Sequence, residues 1–232
     1  MPLELESRQV GDITVVRCRG RIVAGPESQS LQDHVRELIP DTRGVVLDLT
    51  DVPFVDSSGL GMLVRLHASA RTTNDGLRLC ALTPTLKHVL QITNLYKLFV
   101  THESEAEAIS SFYQASRASA PGAEPSRVRI LCVDKSADLL AYIRELARSA
   151  GYQPLTSSNL PDALLLIKAA RPDLVVLGVQ SATGKTEAMA QTFGALSIPV
   201  VTVAADFCNQ DAGAAGSALL EAIRQRLASP SA

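Results

Sequence analysis

Asp56-Ser57-Ser58-Gly59-Leu60-Gly61 sets one carboxylate, two hydroxyls and two glycines between the apolar runs "VVLDL" and "GLGMLVRL". The first run reads as a strand and the second as a helix with Leu60, Leu63, Val64 and Leu66 on its apolar side. The hydroxyls therefore fall at a helix N-terminus, where the first backbone N–H groups have no intrahelical partner. Two chemistries fit. A serine hydroxyl can cap the helix, contributing about 1 kcal/mol. It can also be phosphorylated. The positive end of the helix dipole favours a phosphate, whereas Asp56 opposes it as a like charge. The added charge, about −1.5 to −2, would disrupt an interface packed on Gly59 and Gly61.

Other polar clusters carry less. "VVLGVQSATGKTEAMAQTF" has the strand, glycine loop, Lys-Thr and helix order of a phosphate-binding loop, but five residues separate Gly178 from Gly184 where the motif needs four. A polar strand-to-helix loop is the reading kept. Cys18, Cys80 and Cys132 sit in apolar strand-like runs, Cys208 stands apart, and no CxxC occurs. Buried thiols are expected, not a metal site. His34, His67, His88 and His102 have no ligand spacing. Neither a Ser-His-Asp set nor a carboxylate pair can be read, so a binding protein without cofactor or metal is expected, not an enzyme.

The elements that must position these residues fall into two halves. Residues 1–115 follow the order ββαβαβαβα, an α/β arrangement in which a mixed sheet is layered with helices. Residues 116–126, "SRASAPGAEPS", read as a linker. Residues 127–232 restart with repeated βα units, and near-continuous apolar strands such as "LVVLGV" suit a parallel sheet covered on both faces. Ser136 is expected to cap one of these helices and Gly151 to end it.

Composition excludes some classes. The net charge is −2 without a large basic block, tryptophan is absent and aromatics make up only 4%. Direct nucleic-acid binding on a basic, base-stacking surface is not expected. The N-terminus lacks the pattern of a signal peptide and no run approaches 18 apolar residues, so a cytoplasmic protein without a membrane span is expected.

The first half resembles STAS domains of the anti-sigma factor antagonist type. The carriers are "GRIVAGPESQSLQDHVRELI", "GVVLDLTDVPFVDSSGLGMLVRL", "LRLCALTPTLKHVLQITNLYKLF" and the trailing "SEAEAI", in that family's order. "GRIVAGPES" departs from the acidic G-E-L-D type turn of many members, which bears on the choice of partner. The resemblance implies phosphorylation at Ser57, support from Asp56, and Ser58 as the helix cap, with Gly59 and Gly61 in the partner-binding surface. The implied partner is an anti-sigma factor and serine kinase with a histidine-kinase-like ATPase fold. The unphosphorylated protein would bind it and free a sigma factor; the phosphorylated protein would release it.

The second half, over "RILCVDKSADLLAYIRELARSAGYQPLTSSNLPDALLLIKAARPDLVVLGV", is similar to response-regulator receiver domains. That family holds Mg²⁺ with an acidic pair and phosphorylates an Asp after the third strand. Here the acidic pair reads Asp134-Lys135, the acceptor position is Gly178, and the hydroxyl position after the fourth strand is Ala204. The resemblance therefore implies a degenerate pseudo-receiver used for docking or dimerisation. Two alternatives stay open: an unmodified scaffold that bridges partners through both domains, and an accessory subunit of a lipid-transport complex.

Overall fold

The computed structural model describes residues 2–73, 75–118, 128–178, 193, 198–203, 207 and 212–228. Contacts divide the chain into two units, Met1–Ser119 and Ala120–Ala232.

The first unit opens with a hairpin of β1 (Glu4–Val10) and β2 (Ile13–Arg19), paired antiparallel with Val10 opposite Ile13. Gly11, at φ 66°, occupies the first position of the two-residue turn, where a type II′ turn takes glycine. Next come α1 (Pro26–Leu38), β3 (Gly44–Asp51), α2 (Ser57–Thr73), β4 (Leu77–Cys80), α3 (Pro84–Ile92), β5 (Val100–His102) and α4 (Glu105–Ala118). The sheet order is β1-β2-β3-β4-β5, with every pair beyond the hairpin parallel. The element order expected from the sequence is the order observed. Helix α4 continues to Ala118, three residues into the stretch expected to be linker, and 119–127 lie outside the described residues.

Strand β3 is buried along Gly44–Leu49 because both faces of the sheet are covered. Side chains alternate, so Val45, Leu47 and Leu49 join one core with Leu31 and Val35 of α1, Leu60, Leu63 and Leu66 of α2, and Leu86 and Leu90 of α3. On the other face α4 packs against β3, β4 and β5. There the Arg78 guanidinium lies 3.5 Å from the centre of the Phe112 ring, and the Tyr113 hydroxyl donates to Asp12 Oδ1 at 2.5 Å. Burial pushes the Tyr113 hydroxyl pKa up, and the Asp12 charge adds to it.

The second unit holds β6 (Arg129–Val133), α5 (Ala137–Ser149), β7 (Gln153–Ser157), α6 (Leu160–Ala170), β8 (Leu174–Leu177), β9 (Val200–Thr202) and α7 (Ala212–Ala228). Its four strands are all parallel, in the order β7-β6-β8-β9. Ile130, Cys132, Leu174, Val176 and Val201 pack with Leu139, Leu140 and Ile143 of α5 and Leu219 and Ile223 of α7. Ser136 caps α5 by accepting from the Leu139 N–H, and Gly151 follows it at φ 85°, as the sequence leads one to expect. The loop compared with a phosphate-binding motif, Ala204 and Cys208 lie outside the described residues. Among the described residues, no helix is long and apolar enough to cross a membrane.

Candidate functional site

The site is built where β3 hands over to α2. After Asp51 the chain runs beside the segment that follows β2, with the Ile22 N–H donating to Phe54 O (3.1 Å) and the Asp56 N–H to Ile22 O (3.2 Å). Ile22 and Val55 thus form a parallel bridge beyond the ends of their strands. This short extra pairing fixes where α2 begins.

Asp56 is the cap. Its backbone oxygen accepts the first helical bond, from Leu60 N–H at 2.9 Å, and its Oδ1 accepts from the Gly59 N–H at 2.8 Å. Its Oδ2 accepts from the Ala24 N–H at 2.9 Å, so one carboxylate ties the helix start to the neighbouring loop. These donors, Gly59 first and then Ala24, hold the carboxyl below the usual range, helped by the Ser58 N–H and the charge of Arg21. The expectation that a serine hydroxyl caps α2 is therefore corrected. A carboxylate accepts at two oxygens at once and outcompetes a single hydroxyl.

The correction frees the hydroxyls. Ser57 and Ser58 are the first two helical residues, both are exposed, and neither hydroxyl makes a hydrogen bond among the described residues.

The two glycines also separate in role. Gly59 is buried, and a Cβ there would lie 2.5 Å from Ile22 O and 2.9 Å from both Ile22 Cγ2 and Val55 Cγ1. Its missing side chain makes room for the chain's own Ile22, not for a partner, which corrects its place in the partner-binding surface. Gly61 faces outward, and a Cβ there would meet only Arg65 Nη1, at 3.6 Å.

Beside the hydroxyls stands a residue that sequence reasoning missed. Phe54 is 43% exposed, with the Arg21 guanidinium 4.8 Å from its ring centre. An exposed aromatic with an arginine on its face is the residue pairing that anchors protein interfaces. The available signal was a lone aromatic in the strand-to-helix junction, between Pro53 and Val55.

In the second unit the sheet order reverses between β7-β6 and β8-β9, which opens the usual ligand crevice at the carboxyl ends of β6 and β8. Asp134 and Gly178 meet there. Asp134 is 1% exposed, its Oδ1 accepts from the Ser136 N–H at 2.6 Å, and a Cβ on Gly178 would lie 2.2 Å from Asp134 Oδ2. The carboxylate occupies the space a side chain at 178 would need. Lys135 is exposed. Among the described residues, no group of three or more His, Cys, Asp or Glu is placed to hold a metal ion.

The STAS domain family matches residues 4–108, the β1–α4 span that contains this site. A STAS-domain containing protein of Pseudomonas aeruginosa is 30% identical over 89 residues, covering 38% of this chain and 87% of that protein. The chain belongs to the STAS-domain family. An anti-sigma F factor antagonist of Paenibacillus polymyxa is 22% identical over 116 residues, covering 47% of this chain and 95% of that protein. Protein Rrf1 of Nitratidesulfovibrio vulgaris is 43% identical over 49 residues, which make up 21% of this chain. The match spans only 36% of Rrf1's own length.

Proposed function

We propose that this chain is an anti-sigma factor antagonist acting as a phosphorylation-controlled partner switch, with Ser57 as the acceptor. The observation that carries the reading is the Ser57 hydroxyl: exposed, unbonded, and at the first residue of a helix whose cap Asp56 already supplies. The fold makes no use of this oxygen, so it is available for chemistry. The name of the Paenibacillus relative supports the partner class.

The proposed partner is an anti-sigma factor that is also a serine kinase with a histidine-kinase-like ATPase fold. Ser57 Oγ attacks the terminal phosphorus of ATP, the bond to ADP breaks, and the hydroxyl proton passes to a base of the kinase. Before transfer, Phe54, Arg21, Ser57, Ser58 and Gly61 present a face of mostly small residues with one aromatic anchor. After transfer, about −1.5 to −2 of charge sits in the middle of that face beside Asp56. Burying it against the partner costs more than the contacts return, and the partner leaves. In this reading the STAS domain spans 1–115 and acts in the cytoplasm. A receiver-like unit over 127–232 serves docking, its crevice filled by Asp134.

The test is capture of the host's kinase-type anti-sigma factor by the full chain. Ser57→Ala is expected to retain it and Ser57→Asp to lose it by at least roughly tenfold, as a charge placed in an interface core does. Mass spectrometry of protein from its native host is expected to map one phosphate to Ser57. Equal capture by both variants would refute the switch.

A further inference from the structure

The stretch Ser57, Gly61, Arg65 advances by four residues at each step, so the three share one face of α2. Side chains on a helix lean toward its N-terminus. Arg65 does so: its Nη1 lies 3.6 Å from the point a Cβ on Gly61 would occupy, already a full turn closer to Ser57. Only glycine leaves this lane entirely open. Arg65 is exposed, and among the described residues it makes no hydrogen bond or ion pair. Other charged groups of the first unit do pair, as Arg17 does with Asp51, Arg43 with Asp75 and Lys87 with Glu103. A guanidinium laid along a helix toward an unbonded hydroxyl, with no anion to meet, lacks the partner its planar donor fork is suited to.

We infer that Arg65 is the internal reader of phosphate on Ser57, reaching it through the lane that Gly61 leaves clear. This rests on Ser57 being the acceptor, as proposed above. Gly61, beside which the guanidinium lies, is separated from Ser57 by about one helical turn, ~5.4 Å along the axis. A phosphate ester projects three acceptor oxygens into that gap. An arginine can meet two of them at once, whereas the helix N–H groups nearest Ser57 are shared with Asp56. Phosphorylation then changes the face twice over. It adds an anion, and it draws in a cation that was free to meet an acidic partner. The switch is thereby sharpened without any movement of the backbone.

The test uses the full chain with phosphoserine incorporated genetically at position 57, so it does not depend on finding the kinase. Phosphorus NMR at low ionic strength follows the second ionisation of the phosphate. In the otherwise unaltered chain its pKa is expected to lie about 0.3–0.7 unit below that in Arg65→Gln. Gly61→Leu, which blocks the lane but keeps the arginine, is expected to raise it likewise, and Arg65→Lys to restore part of the shift. A value in Arg65→Gln within ~0.1 unit of the unaltered chain overturns the assignment. An unchanged value in Gly61→Leu overturns the lane. Circular dichroism confirms that each variant is folded. The switch itself is read separately, by the native phosphate and partner capture, so the two can fail independently.

Discussion

Two glycines two residues apart in α2 should respond to alanine with opposite signs. At Gly59 the new Cβ would be driven to 2.5 Å from the Ile22 carbonyl oxygen and 2.9 Å from Val55 Cγ1. The first is backbone, held by the Ile22–Phe54 and Asp56–Ile22 hydrogen bonds, so it cannot swing aside. Overpacking of this kind costs about 1–3 kcal/mol, and a lost bridge hydrogen bond about 1 kcal/mol more. Against this, alanine gains up to about 1 kcal/mol in helix propensity. The net expected loss is about 2 kcal/mol. At Gly61 the new Cβ would stand 3.6 Å from the end of a flexible arginine, an ordinary contact. There only the propensity gain remains, so Gly61→Ala should stabilise by about 0.5–1 kcal/mol. Hydrogen exchange of the α2 amides across a urea series reads the first unit within the full chain, where one global midpoint would mix two units. A Gly59→Ala variant as stable as the parent, or a Gly61→Ala variant destabilised by about 1 kcal/mol, would refute the packing argument.

Asp56 has a carboxyl held below its usual range, so its stabilising effect is complete above the unfolded value near 3.8 and is lost as pH falls through the lower folded value. The stability gap between the parent and Asp56→Asn should therefore hold from pH 7 to 5 and narrow below about pH 4, read by hydrogen exchange of the α2 amides across a urea series. A gap independent of pH would show that the carboxylate is not the cap. Gly178→Asp should destabilise the second unit by about 2–3 kcal/mol, since its Cβ would meet Asp134 Oδ2 at 2.2 Å; adding Asp134→Ala should recover most of the loss, read by hydrogen exchange of the β6 and β8 amides across a urea series. Cys18 and Cys132 are fully buried and their thiols are pushed up to about 12, so both should resist an aromatic disulfide reagent at pH 8 until the chain unfolds.

The sequence by itself determined the order of elements in the first unit, because strand and helix periods alternate cleanly there and α1 and α3 carry their own stop signals. Asn94 ends α3 at φ 57°, and Pro40 breaks the pattern after α1, where the chain turns into a single 3₁₀ turn. The position of the two serines at a strand-to-helix junction was legible for the same reason.

Tertiary structure decided what each junction residue does. Asp, Ser and Ser in a row are all good caps, and local sequence cannot rank them. Asp56 wins because a loop 32 residues away brings the Ala24 N–H to its second oxygen. Gly59 and Gly61 look alike in sequence, but the Ile22 strand segment buries one and leaves the other open. Gly178 reads as a lost acceptor, yet it is also a position that Asp134, from another strand, has filled. In each case the deciding atom comes from a segment distant along the chain. Period and propensity act over a few residues; which surfaces meet is set by the sheet that brings those segments together.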